Sequence, residues 1–332
     1  MRTPSQTRRD WLLAATAMAA STCVSPSNVL AQPKKKASIA ITLDLEMSRN
    51  FPTRETTHWD YEKGNLNDET KRYAVEAARR VKAAGGVVHC FAVGRVFEQP
   101  DVSWLEEIVR AGHPVGNHTY DHVNVTAKRI EDLQHRFQRA PWLLRGQSAP
   151  DAIRENIILT SQAMKTRLGI VPAGFRTPGG FADGLRDHAE VRTMLQELGF
   201  PWVSSLYPPH PNSAAMQEPT DDVLKGIVAA MAKAQPFAYP DGLIEVPMSP
   251  ISDIGAFRNG RWQLEWFLKS IRQCVAWTIE NGAVFDFLAH PSCLYVTDPE
   301  FRTIDLICQL VREAGDRAAI ESLEAIAARV KM

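Results

Sequence analysis

The feature that most constrains the fold is an alternation of short apolar runs with longer amphipathic ones, repeated about seven times without a break in composition. Ile39, Ala40, Ile41, Leu43 and Leu45 form a nearly continuous apolar run that closes on Asp44 and Glu46. That is how a strand buried on both faces of a parallel sheet reads as it reaches its carboxyl-end loop. Asn67 or Asp68 can cap a helix running to Ala84, stopped by Gly85-Gly86. Strands are expected at 87–93, 114–117, 174–176, 202–206, 243–248 and 284–289. Helices are expected at 104–111, 155–168, 187–198, 264–280, 299–314 and 320–330. The stretches 139–151 and 208–222 read as inserted loops of the kind that shape access to a site. Strand–helix alternation argues a parallel α/β fold, barrel or doubly wound. The 332 residues, 45% hydrophobic, suffice for one large core.

The N-terminus stands apart. Arg8-Arg9 precede a mildly apolar run from Trp11 to Ala20, and Val29-Leu30-Ala31 place small residues where a signal peptidase cuts. Residues 1–31 therefore read as a signal peptide of twin-arginine type, too short to span a bilayer. Residues 32–36 read as a linker and 37–332 as the catalytic domain. The expected location is exported, periplasmic or secreted. Charge is balanced at 38 basic and 38 acidic residues, which argues against a nucleic-acid partner. Cys90, Cys274, Cys293 and Cys308 form no C-x-x-C pair, and Cys90 reads as a buried small hydrophobe.

The chain has no G-x-S-x-G elbow, P-loop, H-E-x-x-H or G-x-G-x-x-G after a strand. Instead His118-Thr119-Tyr120-Asp121-His122 follows a short strand in a glycine-containing loop. Two histidines four apart can face one metal if the segment is helical or tightly turned. A hydrolytic metal site also needs a carboxylate ligand, a base for water and an acid for the leaving nitrogen. Asp44 and Glu46 lie two apart at a strand end and share a face. His290 ends another buried strand.

Together these stretches resemble the polysaccharide deacetylases, carbohydrate esterase family four, of the NodB-homology type. The motifs run in the family's order: Thr42-Leu43-Asp44-Leu45-Glu46, His118-Thr119-Tyr120-Asp121-His122, Arg176-Thr177-Pro178-Gly179-Gly180 and Leu288-Ala289-His290. The resemblance implies a distorted (β/α) barrel of about seven strands and hydrolysis of N-acetyl groups on a glycan. It implies that Asp44 is the base, that Arg176 orients it, and that His290 is the acid. It also implies that His118 and His122 bind a divalent metal and that Leu288 walls the acetyl methyl. Tyr120, Pro178 and Gly180 are expected to contact substrate. Zinc is the first expectation for the metal, with cobalt, nickel, manganese and iron also suited to such ligands.

Two departures from the family pattern stand out. Leu45 occupies the position where a second aspartate commonly binds metal. Glu46 is the nearest replacement, since it returns to the face of Asp44 and has longer reach. The rival arrangement has Asp44 on the metal and Glu46 in a salt bridge at the rim. No aspartate lies in Trp202-Val203-Ser204-Ser205 to support His290; Asp253 is a candidate, equally readable as a loop acid. Two other functions remain open: an allantoinase-like hydrolase of a small or cyclic amide, and a carbohydrate-binding protein with a dead site.

Overall fold

The computed structural model describes residues 35–57 and 63–330. The signal-peptide reading and most of the linker lie outside those residues. Nine strands form one sheet: β1 (Ala37–Leu45), β2 (Val88–Ala92), β3 (Val115–Asn117), β4 (Phe175–Phe181), β5 (Trp202–Leu206), β6 (Phe237–Ala238), β7 (Ile244–Glu245), β8 (Val284–Ala289) and β9 (Ala318–Ile320). The order is β6-β7-β5-β4-β3-β2-β1-β8, with β9 beside β1. Only the β6–β7 pair is antiparallel. The sheet curls into a half-barrel surrounded by helices, the distorted (β/α) barrel expected. Its gap is bridged by Ser249, whose N–H donates to the Asp286 carbonyl (3.2 Å) and whose Oγ accepts from the Asp286 N–H (2.9 Å).

Every residue of β1 is buried. β8 pairs with Ser38–Leu43, whereas β9 pairs with Ala37–Ile39 and β2 with Ile41–Leu45. β9 and β2 thus share one edge of β1 in tandem, and β8 takes the other. Helices Asp68–Ala83, Leu264–Asn281 and Arg302–Ala314 pack their apolar faces on this centre. Asn67 Oδ1 caps the first helix through the Thr70 N–H, and Gly282, at φ 58°, ends the second.

Among the described residues, the barrel of about seven strands gains two-residue β6 and β7 and three-residue β9, for nine strands in all. Two expectations need correction. The helix expected at 320–330 shrinks to Leu323–Ala327, since the apolar Ala318–Ile320 joins β1. The 139–151 loop contains a short helical segment, Pro141–Leu144, and the start of helix Ala149–Leu168, capped by Ser148 and Asp151. The cysteines at 90, 274, 293 and 308 are all buried and free. Among the described residues, no helix is long and apolar enough to cross a membrane.

Candidate active site and metal centre

The carboxyl ends of β1, β4 and β8 and the loop after β3 meet around one cavity of about 520 Å³. Period-two geometry puts Thr42, Asp44 and Glu46 on one face of β1, and Asp286, Leu288 and His290 on one face at the end of β8. Arg176, from β4, is fully buried between them. Its Nη1 donates to Asp44 Oδ1 (3.0 Å) and Thr42 Oγ1 (2.8 Å), and its Nη2 pairs with Asp286. Ser204 Oγ accepts from the remaining edge, and the guanidinium lies 4.4 Å above the Phe91 ring. Arg176 thus reaches Asp44 through a single N–H rather than a bidentate pair. Its fork is divided between two carboxylates, and the second, Asp286, went unrecognised in the sequence. Burial pushes the Asp286 carboxyl up to about 6, with Arg176 and Thr42 working against that rise.

The H-x-x-x-H segment is tightly turned, not helical. Thr119 and His122 adopt φ of 58° and 57°, a left-handed backbone that bulky residues rarely take outside functional sites. Asn117 Oδ1 accepts the Thr119 N–H and Thr119 Oγ1 the Val123 N–H, which holds the turn. The two imidazoles meet edge to face, with centroids 4.9 Å apart and planes at 72°. His118 Nδ1 lies 2.9 Å from the Arg176 carbonyl. A carbonyl only accepts, so Nδ1 carries the proton and Nε2 turns a lone pair inward. Burial lowers the His118 pKa and takes His122 down to about 4, so both rings are neutral at pH 7, the form in which an imidazole can bind a metal.

Glu46 completes the group. One donor atom each from Glu46, His118 and His122 lies within 4.8 Å of the others. Glu46 Oε2 is 3.7 Å from His118 Nε2 and 2.9 Å from His122 Nε2, yet this buried oxygen accepts no hydrogen bond. Burial draws Glu46 toward protonation; nearby positive charge, that of His122 when protonated and that of the Lys63 ammonium, outweighs it and holds the pKa well below the usual range. An orphaned carboxylate oxygen facing two neutral imidazoles is the donor set of a two-histidine, one-carboxylate ion site with an open position. These residues fit a divalent metal. Lys63, itself buried, pairs with Glu46 Oε1 and leaves Oε2 to face the histidines.

His290 lies opposite, its Nε2 3.7 Å from Glu46 Oε1 and 4.0 Å from Asp44 Oδ2. Asp253 Oδ1 is 3.0 Å from His290 Nδ1, and Asp253 Oδ2 accepts the His290 N–H at 2.7 Å. Burial works against protonation of His290, but Asp253 overcomes it and raises the pKa. Asp253 therefore fills the supporting place that the β5 segment leaves empty. Leu288 and Gly180 line the cavity; Tyr120 and Pro178 do not. The Tyr120 ring packs against Gly94, where a Cβ would come within 2.2 Å of it, and its hydroxyl donates to Glu98. Pro178 faces a neighbouring depression behind His122. Lys63, Arg49 and Arg258 also line the cavity and were not anticipated. Single cations in loops leave no periodic trace, whereas Asp286 was legible two residues before Leu288 on the same strand face.

A family model described as polysaccharide deacetylase matches residues 32–203. The chain belongs to the polysaccharide deacetylase family. Among solved structures, a protein described as a polysaccharide deacetylase from Mycobacterium smegmatis superposes with TM-score 0.58 at 18% identity, covering 90% of this chain and 91% of that one. A second such protein, from Pseudomonas aeruginosa PAO1, gives TM-score 0.59 at 12% identity over 88% and 89%. Puue allantoinase gives 0.56 at 13% over the same shares. At these identities the likeness is one of fold. No curated protein matches the chain.

Proposed function

We propose that this deacetylase-family protein is a metal-dependent amide hydrolase that removes N-acetyl groups from an acetylated glycan. The observation that carries the reading is the convergence on one cavity of Glu46 with two neutral histidines, an Arg-held Asp44 and an Asp-held His290. Glu46, His118 and His122 hold the ion, for which zinc suits the ligands best. A divalent ion held there supplies positive charge that acidifies water and polarises an acyl oxygen. Asp44 takes the proton of the attacking water, oriented by Arg176 and unable to turn away from it. His290, whose protonated form Asp253 favours, delivers a proton from Nε2 to the leaving nitrogen. Leu288 supplies an apolar wall for the acyl methyl and helps exclude water.

A second reading, hydrolysis of a small amide, draws on the cavity. Its volume is in the range of pockets that enclose small molecules. Acetate release from tri-N-acetylchitotriose, peptidoglycan and acetylxylan, with and without a chelator, tests both. Metal-dependent release from the two N-acetylated substrates supports the first reading, whereas release from acetylxylan alone counts against it. Turnover of small amides alone supports the second. Metal-free, inactive protein would leave only a carbohydrate-binding role.

Export by the twin-arginine route is proposed on the Arg8-Arg9 pair and the Val29-Leu30-Ala31 segment. Changing both arginines to lysine should strand the precursor in the cytoplasm. A mature protein that still begins at Met1 would defeat the idea.

A further inference from the structure

The cavity wall carries more positive charge than the proposed chemistry uses. Among the described residues, Asp44 and Glu46 are its two carboxylates, against Arg49, Lys63 and Arg258. Lys63 is committed to Glu46, and Asp44 is already held by Arg176 from behind. Arg49 and Arg258 have no such commitment: neither forms an ion pair among the described residues. The one side-chain contact of the Arg258 guanidinium there is a 3.4 Å bond to its neighbour Asn259. Burial lowers the Arg258 pKa, Asp253 and Glu46 oppose that, and the like charge of Arg49 adds to it. Two guanidiniums on the wall of one cavity, that of Arg258 half-buried and that of Arg49 exposed, are an arrangement stabilised by an anion held in the cavity.

The placement of Arg258 is built into the backbone. It sits in a π-helix, Ile254–Asn259, that begins directly after Asp253. Such turns are rare and concentrate at functional sites. Ile254, Gly255, Arg258 and Asn259 all line the cavity. Arg54 clamps the far end of the turn, donating to the Arg258 carbonyl (2.9 Å) and the Phe257 carbonyl (3.2 Å). The same clamp ties the loop that bears Arg49 to the loop that bears Arg258.

We propose that Arg49 and Arg258 form an anion-recognition element, and that the substrate is an acylated amine carrying a carboxylate. This rests on the hydrolase reading above and narrows its substrate class. A planar carboxylate matches the guanidinium fork, and a divalent ion in the triad would increase the positive surplus that a neutral acetylated sugar leaves uncompensated. The carboxylate comes either from an acidic residue of a polymer or from a small free acid.

The test uses matched pairs with the metal-loaded full chain. One pair is tri-N-acetylchitotriose and the same trisaccharide oxidised at its primary hydroxyls to carboxylates. The other is N-acetylethanolamine and N-acetylglycine. The ratio of kcat/KM within a pair should favour the carboxylate about 10- to 100-fold. It should fall toward one in Arg258→Gln and Arg49→Gln, be partly kept in Arg258→Lys, and shrink as salt rises. The pair that shows the preference identifies the source. Calorimetric binding of both carboxylates to Asp44→Asn separates the two readings. Arginine-dependent carboxylate binding without turnover of any acetylated substrate overturns the hydrolase reading alone. Turnover with equal rates within both pairs overturns this inference alone, and neither binding nor turnover overturns both.

Discussion

Replacing Asp253 by asparagine tests what would make His290 an acid in the proposed reaction. The carboxylate is fully buried and meets His290 twice, at the backbone N–H (2.7 Å) and at Nδ1 (3.0 Å). A carboxylate and an imidazolium at about 4 Å attract by about 4 kcal/mol at an effective dielectric of about 20. Measured hydrogen bonds to charged groups retain about 1.5–3 kcal/mol of net effect. Burial of the ring opposes its charging, so the lower range applies. At about 1.4 kcal/mol per pH unit, Asp253→Asn should lower the His290 midpoint by roughly one to two pH units. The asparagine oxygen can still accept the Ile254 N–H that Asp253 Oδ1 takes at 2.8 Å, so the turn should survive. NMR titration reads the midpoint directly, with His290→Gln identifying the resonance. Since the acid acts protonated, the high-pH limb of kcat/KM should move to lower pH by the same amount. A midpoint that stays within a few tenths of a pH unit, or rises, would refute the role given to Asp253.

Glu46→Gln should weaken metal binding at least tenfold by metal analysis, whereas Asp44→Asn should keep the metal and lose about 100- to 10,000-fold in turnover; the reverse pattern would make Asp44 the ligand. Arg176→Met strands Asp44 and Asp286 in the core and should cost about 3–5 kcal/mol in urea unfolding; a loss below about 1 kcal/mol would contradict the buried network. Asp286 has a folded pKa of about 6, above its unfolded value, so the folded state binds the proton more tightly. It favours folding most at low pH, and that contribution is lost as pH rises from about 4 to about 6, by roughly 2–3 kcal/mol. Asp286→Asn should remove this slope, and equal slopes in both proteins would place the Asp286 pKa elsewhere.

How legible these features were depended on whether they leave a periodic trace. β1 and β8 are buried on both faces, so their apolar runs and terminal polar residues announced both strand and site. Asp44, Glu46, His118, His122, Arg176 and His290 converge because parallel strands deliver their carboxyl ends to one side of the sheet. Asp253 stayed ambiguous because its link to His290 spans 37 residues and depends on a turn that no propensity foretells. The helix Asp221–Ala230 was hidden behind the prolines of the preceding loop. β9 was absorbed into a helical pattern because its three residues fit either period.

The tandem pairing around β1 also governs how the chain can be made. β1 leaves the ribosome long before two of its partners, since β8 begins at residue 284 and β9 at residue 318. Until those residues appear, an entirely apolar-flanked strand has one open edge and half of the other unpaired, the kind of template on which nascent chains stick to one another. Asp44 and Glu46 lie at the end of that strand, facing His290 only once β8 has been made. The newborn chain should therefore depend on a chaperone covering residues 37–45, and any stop before about residue 320 should yield aggregate rather than a smaller working enzyme.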